Sequence, residues 1–286
     1  MSGGATSRAG VEGAAVTGAG PAGADALAVL AACLADRSVE IVDLTHTLAP
    51  DFPVIVLPPE LGQCQPFRSE EISRYDARGP MCYWNTFTCG EHTGTHFDAP
   101  AHWITGRHLP FGTVDEIAPE KLIAPAVVLD FSREAAADAD FVLTAAHIEA
   151  WEARHGAIPA GVWVLFRTDW SKKLGTPQYL NMQADGAHSP GPAAGAIRLL
   201  VEGRDVIGFG TETVGTDAGQ GAHFAPPYPA HAILHGAGKY GLQCLANLDR
   251  LPPTGALLVA PPLKIRDGSG SPLRVLALVA RPPVAR

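Results

Sequence analysis

Short apolar runs and amphipathic stretches alternate along most of this chain. Ala24 to Asp36 (ADALAVLAACLAD) is rich in Ala and Leu and has the propensity of a helix. Val39 to Leu44 is β-branched, closes on a polar turn and reads as a strand. Similar runs recur at Trp84–Thr88, Ala126–Phe131, Val162–Arg167, Val206–Phe209, Ala256–Ala260 and Val275–Ala280. Helical patterns lie between them. One runs from Thr144 to Arg154, with Thr144 as N-cap, His155 in the last turn and Gly156 as the stop. Another runs from Ala193 to Glu202, after Pro192 and before Gly203. His231 to Gly236 forms a third, short one. Interleaved strands and helices predict an α/β fold. Several gaps between strands are too short for a crossover helix, so the sheet is mixed. No fixed-period repeat and no linker divides the chain, which predicts a single domain over 24–286. Residues 1–23 are Gly/Ala-rich and lack the basic start and apolar core of a secretory signal. They are expected to form a disordered arm.

Composition narrows the function. With 286 residues, 47% of them hydrophobic, the chain can bury a full core. The 21 Lys and Arg against 29 Asp and Glu give a net charge of −8, which argues against a nucleic-acid partner or an anionic membrane surface. No apolar run approaches the ~18–20 residues of a spanning helix. Five cysteines, an odd number without a CxxC pair, read as reduced thiols in a cytoplasmic protein. The 31 glycines and 25 prolines predict a loop-rich fold.

The chemistry is concentrated in Gly90-Glu91-His92-Thr93-Gly94-Thr95-His96-Phe97-Asp98-Ala99-Pro100-Ala101-His102. Thr-Gly-Thr between His92 and His96, and Pro100 just beyond, are poor helix material. An irregular loop that curls at Gly94 and then extends fits better. Extended backbone from His96 projects His96 and Asp98 to one side, and the curl brings in His92. Two imidazoles and a carboxylate so placed hold a divalent cation and leave positions open for water and substrate. His102 is the candidate for proton transfer, because an imidazole works in both directions near neutral pH; its alternative role is a fourth ligand or a supporting donor. Cys244 has no adjacent base to mark it as a nucleophile. GTDAGQG at Gly215–Gly221 lacks phosphate-loop spacing and reads as a turn or active-site loop. His46, His188, His223 and His235 are expected to be structural, and His108, His147 and His155 to lie at the surface.

The complete pattern His92-x-Gly94-Thr95-His96-x-Asp98-x-Pro100-x-His102 resembles the signature of the cyclase-like metal hydrolases, a family that includes kynurenine formamidases and isatin hydrolases. Asp43-Leu44-Thr45-His46 and the late segment GAGKYGLQCLANLDRLP, from Gly236 to Pro252, are similar to the family's as well. The resemblance implies a swivelling β/β/α fold, with a mixed, barrel-like sheet flanked by helices, and a homodimer. It implies that His231 supports catalysis or orients substrate. Formamidase-type members carry a glutamate where this chain has Gln243, and a neutral amide cannot offset the charge of a second dication. The isatin hydrolase branch is therefore the nearer one, with a single ion per subunit, Mn(II) favoured over Zn(II), and Gln243 completing the ligands His92, His96 and Asp98. The activity implied is hydrolysis of a cyclic amide, isatin to isatinate, with Trp84, Trp103 and Phe224 stacking on a flat bicyclic substrate. The alternatives are cleavage of acyclic N-formylkynurenine and a metal-binding scaffold without catalysis.

Overall fold

The computed structural model describes residues 23–57 and 62–281. The expected arm lies outside them except for Gly23, which opens the helix Gly23–Ala35. The chain separates into two compact units, residues 1–39 and 40–286. The first contributes that helix, whose first turn carries Asp25 where a negative charge suits the helix dipole.

The second is built on a nine-stranded sheet that curls into a half-barrel. Its strands run in the order Val39–Asp43, Leu276–Ala280, Ala256–Val259, Ile123–Asp130, Trp163–Arg167, Gly208–Thr211, Tyr240–Gln243, His96–Asp98, Gly270–Pro272. The four strands from Ile123–Asp130 to Tyr240–Gln243 are mutually parallel, while Ala256–Val259 pairs antiparallel with both its neighbours and so does His96–Asp98. The sheet is thus mixed, as the uneven strand spacing predicted.

Period-two alternation explains its two faces. Ala126, Val128, Trp163 and Leu165 point into the core enclosed by the curl, with Leu242, Leu258 and Ala277. Val127, Leu129, Val164 and Phe166 point the other way, onto Ile148, Trp151, Ile197, Leu200 and Leu234 of the helices. Central strands covered on both faces read as unbroken apolar runs, as Val162–Phe166 does. The helix Ala145–His155 starts where its cap residues place it. Thr144 Oγ1 accepts from the His147 amide, the His147 ring answers on the Thr144 amide, and Gly156 ends the helix at φ +91°.

Arg68–Asp76 and Gly79–Thr88 form a separate antiparallel hairpin whose residues are almost all exposed. It leads directly into the histidine-rich segment.

Candidate metal centre

The chain turns at Glu91–Thr95 and then enters the three-residue strand His96–Asp98, buried throughout. Gly94 makes the turn. Its φ is +71°, a left-handed backbone conformation that calls for glycine. His96–Asp98 is wedged between Tyr240–Gln243 and Gly270–Pro272, with His96 opposite both Gln243 and Pro272. The predicted curl followed by extended backbone is what forms. The strand pairing then puts Gln243 across from His96.

Ligand atoms of His92, His96 and Asp98 all lie within 4.8 Å of one another. Hydrogen bonding fixes which atoms these are. His96 Nδ1 is 2.8 Å from the Gly94 carbonyl, which can only accept, so Nδ1 carries the proton and Nε2 keeps its lone pair, 3.3 Å from Asp98 Oδ1. His92 Nε2 is 2.9 Å from Ser269 Oγ, whose hydroxyl donates to Glu91 Oε2 at 2.7 Å. Ser269 therefore accepts from His92 Nε2–H, and His92 Nδ1 faces Asp98 Oδ1 at 2.8 Å. Two imidazole lone pairs and a carboxylate oxygen converge where the neutral rings supply no proton. Only positive charge stabilises that arrangement, and the donor set fits a divalent cation of the N/O-binding class.

Asp98 is fully buried. Burial opposes its ionisation, and positive charge on or among the surrounding imidazoles is what holds its carboxyl well below the usual carboxylate range. The Gln243 amide nitrogen donates to Asp98 Oδ2 and lies 3.5 Å from His231 Nε2. The same amide turned over would present its oxygen there.

A second group of ligand atoms, from Asp98, His102 and His231, overlaps the first at Asp98. The His102 ring packs on His92, centroids 3.8 Å apart, and lies 5.5 Å from the His231 ring. Burial pushes the His102 imidazole down to about 2, against the pull of Asp98, so it is neutral over the working range. His231 goes the other way. Burial alone would lower it, but the hydrogen bond from Nδ1 to Asp217 Oδ2, 2.6 Å long, and the nearby negative charge raise it above the ordinary value. Asp217 also accepts the Ala230 and His231 amides, so one carboxylate both caps the helix Pro229–Gly236 and orients the histidine. Trp103 lies 4.8 Å from the His231 ring. Burial pushes the Cys244 thiol up to about 12, which suits no nucleophile.

Residues 42–218 match the family model described as "Putative cyclase". This chain belongs to the cyclase family. It is 50% identical over 258 residues to the isatin hydrolase of Roseibium aggregatum, covering 90% of this chain and 98% of that protein. Among solved structures it resembles isatin hydrolase A from Labrenzia aggregata bound to benzyl benzoate, at 64% identity and a TM-score of 0.88, over 90% of this chain and all of that one. It also resembles an isatin hydrolase bound to the product analogue thioisatinate, at 48% identity and a TM-score of 0.89, over 91% of this chain and all of that one.

Of the residues singled out from this cyclase-family sequence, His92, His96, Asp98, His102, His231, Gln243 and Trp103 come together. Phe97 packs inward on Trp163 and Tyr240 as expected. Trp84 stands on the hairpin, 55% exposed, and Phe224 is half-buried in the loop before Pro229; neither makes a ring contact with the site's imidazoles among the described residues. His46 is half-buried and His235 fully buried, each with an Nε2 lacking a partner among the described residues, and His235 packs 5.5 Å from the His231 ring. Glu91, Asp217 and Ser269 were not predicted. Glu91 and Asp217 stood inside segments already marked, but Ser269 lies 178 positions from Glu91, and no local pattern announces it.

Proposed function

We propose that this protein is a metal-dependent hydrolase that opens the lactam of isatin to isatinate. The observation that carries the reading is the proton-free convergence of His92 Nδ1, His96 Nε2 and Asp98 Oδ1, in a chain half identical to an isatin hydrolase. We assign one ion per subunit, held by those three side chains with Gln243 turned to offer its oxygen, Mn(II) as first choice and Zn(II) as second. Such an ion, when bound, acidifies water and polarises a carbonyl.

The chain's own groups handle the protons. His102, neutral and packed beside the ligands, is placed to accept a hydrogen bond from the attacking water, and His231, whose imidazole Asp217 holds above its ordinary value, is the group that takes the proton. As the hydroxide oxygen bonds to the lactam carbonyl carbon and the C–N bond breaks, His231 gives that same proton to the leaving nitrogen. The products are a free amine and a carboxylate. Trp103, against His231, offers a face to a flat bicyclic ring, with Trp84 and Phe224 as further walls.

The working unit in this reading is a homodimer. On the hairpin Met81 is 91% exposed, Phe87 60% and Trp84 55%, an apolar surface that a second copy would cover. Five unpaired thiols suit the cytoplasm, and no described helix is long and apolar enough to cross a membrane.

The test follows isatin absorbance with purified protein, before and after chelation, then after Mn(II) or Zn(II) is restored. Loss of isatin that stops on chelation and returns with metal is expected. No loss in any metal state overturns the substrate assignment.

A further inference from the structure

We propose that Glu91 and Ser269 are positioning residues that set the tautomer of His92 and thereby the metal affinity of the site. The inference rests on the metal reading above and goes beyond it, because neither residue offers an atom to the ion.

The argument follows hydrogen-bond direction. Glu91 is a carboxylate and can only accept; its Oε2 takes both the Ser269 amide, at 3.1 Å, and the Ser269 hydroxyl, at 2.7 Å. With its proton committed to Glu91, Ser269 Oγ presents a lone pair to His92 Nε2 at 2.9 Å. His92 must then carry its proton on Nε2. An imidazole left free to choose would distribute the proton between its nitrogens, and Asp98 Oδ1, 2.8 Å from Nδ1, favours the wrong one by accepting from it. Metal binding to that other tautomer first requires moving the proton. Glu91 and Ser269 remove the choice.

The segment is shaped for this role. A Cβ on Gly270 would come within 2.4 Å of His92 Cε1 and 2.9 Å of Nδ1, so the ring lies directly on the backbone beside Ser269. Ser269 is itself anchored, its carbonyl accepting from the Ala99 amide at 2.9 Å. The metal loop and a strand some 170 positions downstream are thus locked at one imidazole. Outer partners of this kind, when removed, typically cost about 10–100-fold in metal affinity.

The test measures Mn(II) and Zn(II) affinity of the full chain by competition with a chromophoric chelator, for wild type, Ser269→Ala, Glu91→Gln, Glu91→Ala and the double variant Ser269→Ala with Glu91→Ala. Thermal melts of the metal-free proteins confirm that each is folded. Expected are losses of roughly 10–100-fold for Ser269→Ala and Glu91→Ala and a smaller one for Glu91→Gln, which keeps an accepting oxygen. The double variant should lose no more than the worse single one, because both act through the same proton. Long-range 1H–15N spectra of the Zn(II) form should show the His92 proton on Nε2 in wild type. Wild type binding metal while folded Ser269→Ala and Glu91→Ala stay within twofold of it overturns this inference alone, and so do single losses that simply add. Wild type binding neither metal overturns the site reading and this inference with it.

Discussion

Asp217 holds His231 by two bonds at once, accepting its backbone amide at 3.2 Å and its ring Nδ1 at 2.6 Å. The first belongs to helix capping and the second to chemistry, since a proton fixed on Nδ1 leaves Nε2 as the basic nitrogen facing Gln243 and Asp98.

Asp217→Asn separates these roles. Asparagine keeps one accepting oxygen but sets an NH2 group against either the Ala230 amide or the His231 donors, so the melting temperature should fall modestly. Its uncharged amide no longer supports a basic, or transiently charged, imidazole, and kcat should fall by roughly 10²–10⁴ with metal content unchanged. Steady-state kinetics with metal analysis decides; a lowered melting temperature with undiminished kcat would reduce Asp217 to a cap.

His102 belongs to the second cluster and not to the first trio of ligands. His102→Ala should retain the ion and lower turnover by roughly 10²–10⁴. Loss of the ion from purified variant protein would make His102 a ligand instead.

Much of this site is legible in the sequence because its candidate residues are local. His92, His96, Asp98 and His102 stand within 11 positions, and Gly94 marks the bend between them. The helix Ala145–His155 is equally legible, since its caps are neighbours in the chain. The strands Tyr240–Gln243 and Gly270–Pro272, and their pairing with the extended segment His96–Asp98, are not. Three or four residues carry too little pattern, and these segments extend only because partners from distant sequence complete their hydrogen bonds. The same non-locality hides Ser269, which becomes a neighbour of His92 only once Gly270–Pro272 pairs with His96–Asp98.

In the proposed reading Gln243 is the residue that limits the site to one ion. Its neutral amide lies against Asp98 and His231, where the second cluster of ligand atoms needs negative charge to offset a dication. Gln243→Glu should raise metal content from about one ion per subunit to about two, because the added carboxylate screens repulsion between the ions. Elemental analysis after dialysis measures this; two ions already present in the wild type would defeat the charge argument.

His235 is fully buried, and burial first, then His231, pushes its imidazole down to about 4. The unfolded chain, with histidine near 6.5, binds the extra proton more readily, so stability is lost as pH falls below about 6.5 and continues to fall until about 4. That shift corresponds to about 3 kcal/mol. Urea midpoints of the metal-free protein between pH 7 and 4 should fall more steeply for wild type than for His235→Gln. Parallel slopes would locate the acid sensitivity elsewhere.

Gly270 tests whether the His92 ring must lie where it does. A methyl group there meets the ring at 2.4 Å and the Phe97 carbonyl oxygen at 2.5 Å, and the His102 ring packs on His92 at 3.8 Å between centroids. The imidazole cannot retreat without separating Nδ1 from Asp98 or Nε2 from Ser269. Gly270→Ala should therefore weaken metal binding by at least about tenfold, the lower end of the cost of disturbing a ligand's support. Phe97, whose carbonyl the methyl also meets, packs on Trp163, so melts of the metal-free variant check that this core still unfolds cooperatively. Binding as tight as wild type would mean that the edge strand moves aside freely and that the position of His92 is not set by it.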